Sequence, residues 1–287
     1  MEISHKVKDL RTLWQRQLAS RYGDREAAWI VRALLEDTMG WNSTDIILKG
    51  DYEFNVHTVT RLSDMVERIS GGEPVQYVTG RAPFHGLMFN VSPAVLIPRP
   101  ETDALVDMIV SDAAGRRDLS VLDCGTGSGC IAISLARNLP FARVKAIDKS
   151  PEALAVARTN GNDLGVKVNF EQADMLSLPS SDKDLYDIIV SNPPYIAEHE
   201  RASMESHVIE HEPGMALFVP DDDPLVFYRE VAAYAHHALA PDGKLYFEIN
   251  PLYAGQLATM LQPLFDDVDI IRDSQGLLRY ATAIRHR

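Results

Sequence analysis

Apolar side chains recur every three or four residues through the first 72 positions, the spacing that gives a helix one buried face. Asp24 is placed to cap the helix of the second stripe, which ends at Gly40. Gly71-Gly72 ends the helix of the third stripe. The stripes are Val7, Leu10, Leu13, Trp14 and Leu18; Ile30, Val31, Leu34 and Leu35; and Val59, Leu62, Val66 and Ile69. Residues 1–72 are therefore predicted to form a small helical domain for docking or stability.

The pattern changes at Glu73 to short segments with β-like composition. Residues 77–79 and 87–91 are predicted strands, joined by a loop that contains Pro83 and Gly86. Residues 73–94 are expected to form a β-hairpin linker between two domains.

Beyond residue 119, apolar runs alternate with helical stripes, which is typical of parallel strands joined by right-handed crossovers. The predicted strands are 121–122, 144–147, 166–170, 186–190, 245–249, 268–271 and 278–284. The predicted helices are 131–139, 151–164, 225–239 and 252–264, and another stripe covers 105–110. Residues 95–287 are expected to form one α/β domain of Rossmann-like architecture.

Composition narrows the class of protein. The chain has 287 residues, 46% hydrophobic and 24% charged, as in ordinary globular proteins. No apolar stretch approaches a membrane span, and residues 1–10 are charged rather than signal-like. Cys124 and Cys130 match neither a disulfide framework nor a common zinc site. We expect a cytoplasmic protein whose two thiols are buried.

The net charge of −13 is unevenly distributed. Residues 1–72 hold 10 basic and 11 acidic side chains of the totals of 28 and 41, which leaves 18 and 30, or −12, for residues 73–287. Such an excess of acids argues against a broad phosphate-binding surface there. Direct contact with nucleic acid is not expected.

A glycine-rich turn follows the strand predicted at 121–122. Its glycines have the spacing Gly-x-Gly-x-Gly, and Cys130 stands where dinucleotide-binding folds have their third glycine. Asp123, expected to be exposed, suits a cationic amine better than a pyrophosphate. The turn consists of Asp123, Cys124, Gly125, Thr126, Gly127, Ser128 and Gly129. It favours S-adenosylmethionine over NAD.

Two more acids follow the next two predicted strands. Asp148 lies where an acid can accept hydrogen bonds from ribose hydroxyls, and Asp174 could accept from an adenine amino group while Met175 covers the ring. Either acid alone could be a helix cap or a solvated loop residue. Three acids and a glycine turn at successive strand ends together predict a nucleoside ligand.

The tetrapeptide Asn192-Pro193-Pro194-Tyr195 directly follows the predicted strand 186–190. Two prolines stiffen this turn and remove backbone donors, so it presents a side-chain amide, free carbonyls and an aromatic ring. Such a corner suits a planar group with N–H donors, either a carboxamide or the exocyclic amine of a base. On its own it could also be a stiff surface loop.

Two other candidates are weaker. Arg99, held between Pro98 and Pro100, could pair with a ligand carboxylate or simply begin a solvated helix. His207 and His211 are four residues apart, but no third ligand is obvious, so we expect no metal site.

With these residues identified, the chain closely resembles the bacterial release-factor glutamine methyltransferase family over most of residues 73–287. The matching stretches are Gly72-Glu73-Pro74-Val75-Gln76-Tyr77, 96–102, 123–132 and 190–196. Members methylate the side-chain amide nitrogen (N5) of the glutamine in the Gly-Gly-Gln loop of peptide chain release factors. The resemblance implies a seven-stranded, S-adenosylmethionine-dependent methyltransferase sheet whose last strand is antiparallel.

The resemblance also implies roles for individual residues. Residues 125–129 and Asp148 would bind S-adenosyl-L-methionine, and residues 192–195 would hold the substrate amide. Met175 stands where relatives often have an aromatic residue, and the N-terminal part matches only as a helical domain. We expect a monomer whose partner is a release factor.

Two other classes of function stay open. A non-catalytic nucleoside-binding module would account for the glycine turn but gives no reason for the tetrapeptide. A DNA adenine-N6 methyltransferase shares the tetrapeptide, yet should carry a basic face and a target-recognition insert, and neither is evident.

Overall fold

A computed structural model describes residues 4–179 and 185–286 of the chain. The chain divides into two compact units, Met1–Gly80 and Arg81–Arg287. Within the described ranges, none of the helices combines the length and apolar character that a membrane crossing requires.

The first unit is helical, as predicted. Gly23, with φ 73° and ψ 165°, interrupts the first helix, and Gly40, with φ 64°, ends it. The helices are α1 (Val7–Met39), α2 (Ser43–Leu48), α3 (Val56–Ser70) and α4 (Val75–Thr79). Their buried side chains form one core, to which Trp14, Leu34 and Leu62 contribute. The three apolar stripes therefore face the interior of one helical unit, except for Leu13, which is 49% exposed.

The predicted strand at 77–79 is wrong, because these residues belong to helix α4. Pro74 precedes the helix with φ −56°, and Gly80 ends it with φ 73°. Proline fixes the backbone before the first turn, and glycine takes the left-handed conformation that stops it. These two residues outweigh the β propensity of Tyr77 and Val78.

A β-hairpin opens the second unit. Strands β1 (Arg81–Phe84) and β2 (Leu87–Asn90) are antiparallel, with Phe84 opposite Leu87. His85 and Gly86 form the turn, with φ of 48° and 70°. Positive φ at both central residues is typical of the tight turns that match strand twist.

The remaining strands and helices build the α/β part of the unit. The strands are β3 (Ser120–Cys124), β4 (Arg143–Asp148), β5 (Asn169–Gln172), β6 (Tyr186–Ser191), β7 (Ile196–Ala197), β8 (Phe218–Val219), β9 (Leu239–Glu248), β10 (Asp267–Arg272) and β11 (Leu278–Ile284). The helices are α5 (Pro100–Asp112), α6 (Cys130–Asn138), α7 (Pro151–Asp163), α8 (Ser206–His211), α9 (Val226–Ala238) and α10 (Ala254–Leu261).

Seven strands form one sheet in the order β10-β11-β9-β6-β3-β4-β5. The pairs from β9 through β6, β3 and β4 to β5 are parallel, whereas β11 is antiparallel to both β9 and β10. The expected seven-stranded sheet with an antiparallel last strand is confirmed. β7 and β8 form a separate parallel pair.

Successive strand residues contribute to different cores. Val121 packs with α5 and α6, whereas Leu122 packs with α9 and α10. In the same way, Tyr246 packs with α5 and α6, whereas Leu245 packs with α9 and α10. Because neighbouring side chains of a strand point to opposite faces, the sheet is covered by helices on both sides. Its polar residues therefore concentrate at the strand ends.

One strand is shorter than predicted. β5 begins at Asn169, and residues 166–168 lie in the preceding connection. Gly165 adopts φ 66°, and the N–H of Val166 donates to the carbonyl of Gly161. The chain is still completing the turn after α7 at Val166, so its β-branched side chains are not in the sheet.

Candidate active site

Four residues at the carboxyl ends of parallel strands form a row across the sheet. Cys124 of β3 is paired with Ile147 of β4 and with Ser191 of β6, and Ser191 with Phe247 of β9. The residue that follows each of these four paired positions in the chain therefore lies at the same edge of the sheet. These residues are Gly125, Asp148, Asn192 and Glu248. Ligands of open α/β sheets bind at this edge.

A cavity of about 280 Å³ opens at this edge. It is lined by most of the residues that the sequence predicted to bind the cofactor or the substrate. The nominated residues that line it are Gly125, Thr126, Gly127, Ser128, Asp148, Asp174, Met175, Asn192 and Pro194. Gly129, Asp123, Pro193 and Tyr195 are not among the lining residues.

The glycine turn packs directly against Met175. Gly125 has φ 79°, and a Cβ there would lie 2.5 Å from Cε of Met175. The N–H groups of Gly125 and Thr126 both donate to the carbonyl of Ile147, each over 2.9 Å. Glycine is required at Gly125 for its conformation and for the close contact with Met175. A Cβ at Gly127 would meet nothing within 4 Å, so a ligand can approach the turn there.

Asp148, the last residue of β4, stabilises the same turn. Its Oδ2 accepts from the N–H of Gly127 over 2.8 Å, and its Oδ1 accepts from the N–H of Ser150 over 2.9 Å. Each carboxylate oxygen has a further lone pair for another donor. Asp148 can thus accept from a ligand hydroxyl without breaking its own contacts.

Asp174 lies two residues beyond β5 and is held by two donors. Lys149 Nζ lies 2.8 Å from its Oδ2, and the N–H of Leu176 donates to Oδ1 over 3.0 Å. The Lys149 contact, followed by the Leu176 N–H, lowers the pKa of the Asp174 carboxyl. The group is therefore an acceptor at neutral pH, facing a cavity that Met175 also lines.

The prediction that Asp123 is exposed is wrong, since its exposed fraction is 0%. Its Oδ2 accepts from the hydroxyl of Thr126 over 2.6 Å. Burial raises the pKa of its carboxyl to about 7. Asp123 is still part of β3, and strand geometry directs it into the protein rather than out of the turn. Direct contact with a ligand amine stays a prediction.

The tetrapeptide's two polar side chains make different contacts. Asn192 lines the cavity, and its Nδ2 donates to Oγ1 of Thr102 over 3.1 Å. Tyr195 directs its hydroxyl to Oε1 of Glu248 over 3.1 Å. Burial raises the pKa of the Tyr195 phenol, so it stays protonated and donates. Pro193 is buried between them.

Sequence reasoning missed Glu248, which connects these contacts. It is the last residue of β9, is 1% exposed, and accepts from Thr102 Oγ1 over 2.7 Å. Burial raises the pKa of its carboxyl, while the hydroxyls of Thr102 and Tyr195 oppose that rise. A carboxylate inside the apolar run 245–249 was the available signal, because such groups are rarely buried without a role.

Arg99 is occupied by a protein carboxylate. Its guanidinium hydrogen bonds to Oε1 of Glu212, whose side chain is 1% exposed. Oε2 of Glu212 accepts from the N–H of Ile97 over 3.2 Å. Arg99 directly precedes α5 and lines the cavity. The helix start is therefore confirmed, and pairing with a ligand carboxylate stays a prediction.

Two histidine clusters bear on metal binding. His207 and His211 lie on α8, and no third ligand joins them among the described residues. His85, Asp103 and Asp107 have potential ligand atoms within 4.8 Å of one another. Nδ1 of His85 lies 2.5 Å from Oδ1 of Asp103, so a hydrogen bond between these two residues explains why the three side chains lie close together.

The two parts of the chain match two family models. Residues 9–80 match the PrmC N-terminal domain, and residues 99–214 match the methyltransferase small domain. Two solved structures share the fold. A T. thermophilus 16S rRNA N2 G1207 methyltransferase in complex with AdoMet and guanosine is 18% identical, with TM-score 0.53, over 72% of this chain and 50% of its own. A methyltransferase from Pyrococcus furiosus is 17% identical, with TM-score 0.53, over 78% and 100%.

Two relatives align with nearly the whole chain. A release factor glutamine methyltransferase of Bacteroides thetaiotaomicron is 44% identical over 272 residues, which is 94% of this chain and 97% of the relative. One of Flavobacterium psychrophilum is 36% identical over 274 residues, or 94% and 96%. At this identity and coverage, the chain belongs to the release factor glutamine methyltransferase family.

Proposed function

We propose that this protein methylates the side-chain amide nitrogen (N5) of the glutamine in the Gly-Gly-Gln loop of a peptide chain release factor. The observation that carries the proposal is that Asn192 and the glycine turn line one cavity, at the ends of the neighbouring strands β6 and β3. An amide-recognising side chain thus lies beside a nucleoside-binding turn. S-adenosyl-L-methionine supplies the methyl group when bound.

The residues fit that cofactor. The open space beside Gly127, where a Cβ would meet nothing within 4 Å, admits a ligand close to the backbone. Asp148 and Asp174 are acceptors for ribose hydroxyls and an adenine amine, and Met175 supplies a polarisable apolar surface for the ring. Residues 125–129 complete the site that we assign to the cofactor, and Asp123 supports it through Thr126.

Asn192 and Pro193 would orient the substrate. An amide nitrogen is a weak nucleophile because its lone pair is delocalised into the carbonyl. We assign Oδ1 of Asn192 and the carbonyl of Pro193 as acceptors for the two N–H bonds of the glutamine. Holding both directs the nitrogen and stabilises the positive charge that develops on it. Once the nitrogen carries the methyl group, it loses one of its two protons to solvent, which gives the neutral N-methyl amide. Pro194 stiffens the corner, and the ring of Tyr195 would pack against the amide plane. Pro193 and Tyr195 do not line the cavity, so we assign their contacts with the amide to the substrate-bound state.

This arrangement explains why glutamine rather than glutamate would be the substrate. A carboxylate would place acceptors against the acceptors of Asn192 and Pro193. Mismatches of this kind can reduce specificity constants on the order of 10⁴-fold. The amide is selected by the number and direction of its N–H donors.

The helical unit is assigned to docking. Residues 1–72 carry 10 basic and 11 acidic side chains, so their surface is close to neutral, whereas residues 73–287 carry −12. A protein substrate needs no positive field, but a DNA enzyme draws much of its affinity from phosphate contacts. We therefore assign no direct nucleic-acid contact, and we propose separately that a single copy of the chain is the working unit.

A reducing cytoplasmic setting fits the thiols. Cys124 and Cys130 are both buried and unpaired with each other. Burial raises the pKa of the Cys130 thiol to about 12, so neither metal binding nor disulfide exchange is favoured there. The two cysteines act as small apolar core residues.

The deciding assay compares two acceptors. The protein is incubated with methyl-labelled S-adenosylmethionine and either a release factor or duplex DNA. We expect label in the release factor only, and its loss when the loop glutamine is changed to glutamate. Label in DNA but not in the factor would contradict the proposal and favour an adenine amine as acceptor.

A further inference from the structure

A buried chain of hydrogen bonds leads from Glu248 to the cavity. Oε2 of Glu248 accepts from Oγ1 of Thr102 over 2.7 Å, and Nδ2 of Asn192 donates to the same Thr102 oxygen over 3.1 Å. Glu248 and Thr102 are both buried, whereas Asn192 is part exposed and lines the cavity. A carboxylate is thus connected to the cavity through one hydroxyl.

The carboxylate sets the direction of every bond in this chain. Both carboxyl oxygens of Glu248 accept, Oε1 from the Tyr195 hydroxyl and Oε2 from the Thr102 hydroxyl, so Thr102 donates its single hydrogen to Glu248. The Thr102 oxygen can then only accept from Asn192. Asn192 must accordingly present Nδ2 to Thr102, which leaves Oδ1 for a donor in the cavity. Without this constraint the two ends of an asparagine amide are nearly equivalent in shape.

We propose that Glu248 is a positioning residue that, by accepting from Thr102, holds Asn192 with its amide oxygen available to the substrate. Glu248 also accepts from the Tyr195 hydroxyl over 3.1 Å, so one buried carboxylate fixes both polar side chains of the tetrapeptide. Reversing Asn192 would place N–H donors against the N–H donors of a glutamine. The inference rests on the proposed function for its substrate, but not for the orientation itself.

Glu248→Gln tests the direction of the bonds at constant size. The glutamine amide can donate to Thr102, whose hydroxyl is then free to donate to Oδ1 of Asn192 and so stabilise the reversed orientation of that amide. We expect kcat/KM for the release factor to fall at least about tenfold, mainly through kcat, with S-adenosylmethionine affinity within about twofold. Glu210→Gln, an exposed change on α8, is the matched control.

Two changes at Thr102 separate positioning from folding. Thr102→Ser keeps the hydroxyl and should retain activity within about threefold, whereas Thr102→Val keeps the shape and should match the loss in Glu248→Gln. The double variant Glu248→Gln/Thr102→Val should be no worse than either single change, since both changes act on the orientation of the Asn192 amide. Additive losses in kcat/KM would overturn the proposal.

A measurement without substrate keeps this test apart from the methylation assay. In the protein labelled at its side-chain amides and threonine methyls, we expect a nuclear Overhauser contact between the Asn192 Nδ2 hydrogens and the Thr102 methyl. We expect the contact to weaken and amide exchange to accelerate in Glu248→Gln. An unchanged contact and exchange rate would refute the orientation role, whether or not a release factor is methylated.

Discussion

The backbone N–H of Gly127 donates to Oδ2 of Asp148 over 2.8 Å, joining the glycine turn after β3 to the end of β4. The other carboxylate oxygen accepts from the N–H of Ser150, just before α7. One side chain therefore determines the shape of the turn and offers its remaining lone pairs to a ligand.

Replacing Asp148 should weaken cofactor binding. Asp148→Ala removes an acceptor for the ribose and releases the Gly127 N–H, so S-adenosylmethionine affinity should fall by about 1–3 kcal/mol. Titration calorimetry measures this directly. Asp269→Ala, which removes an exposed carboxylate from β10, is the control. Equal affinity in wild type and Asp148→Ala would remove Asp148 from the site.

Replacing Asn192 should affect the reaction and spare the cofactor. Asn192→Ala deletes an acceptor that matters chiefly when the glutamine nitrogen becomes positive, so methyl transfer should be abolished while cofactor affinity changes by only several-fold. Single-turnover assays and calorimetry give the two values. Asn169→Ala, at the exposed start of β5, is the control. Near wild-type turnover in Asn192→Ala would refute the assigned mechanism.

Sequence predicted β3 and β6 of the parallel sheet well because each contains an apolar run between polar turns, whereas β5 (Asn169–Gln172) is mostly polar and begins three residues later than predicted. The strand ends followed from the same pattern, so Asp148 and Asn192 could be placed at one edge. The pattern of apolar and polar residues could not predict which distant side chains contact one another. Glu248 lies inside an apolar run, and its partners Thr102 and Tyr195 are distant in sequence.

The errors have the same origin. Asp123 precedes the glycine turn in sequence, but the strand buries it, and only the pairing of β3 with β4 and β6 shows this. Arg99 finds its partner Glu212 more than 100 residues away. Periodicity reports which face a residue occupies, not which distant side chain meets it there.

The buried carboxyl of Asp123 should make stability depend on pH. Its folded-state pKa of about 7 lies above the ordinary value of 3.8, so between these pH values the folded state binds more protons than the unfolded state. This group's contribution to the free energy of unfolding therefore falls as pH rises from about 4 to 7.

Asp123→Asn removes that titration while leaving an acceptor for Thr126. Without ligand, the variant's stability relative to wild type should increase by up to a few kcal/mol between pH 5 and pH 8. Urea denaturation at both pH values measures it, with exposed Asp269→Asn as the control. A relative stability independent of pH would show that Asp123 is not protonated in the folded state near neutrality.

Glu212 should stabilise the segment that follows it. Glu212→Gln leaves only one acceptor for the Arg99 guanidinium and the Ile97 N–H, so we expect a loss of about 1–3 kcal/mol in unfolding free energy. Cofactor affinity should also fall, since Pro213 and Met215 line the cavity. Exposed Glu210→Gln should change neither quantity, and equal stability of the two variants would contradict the role of Glu212.

Strand β11 follows β10 in the chain but lies between β10 and β9 in the sheet. Until residues 278–284 are in place, β9 has an open edge and β10 has no neighbour. The order of synthesis thus leaves a strand with apolar side chains on both faces unprotected late in folding. A chain that stops before Leu278 should expose a template for strand addition, and we would expect it to aggregate rather than merely lose activity.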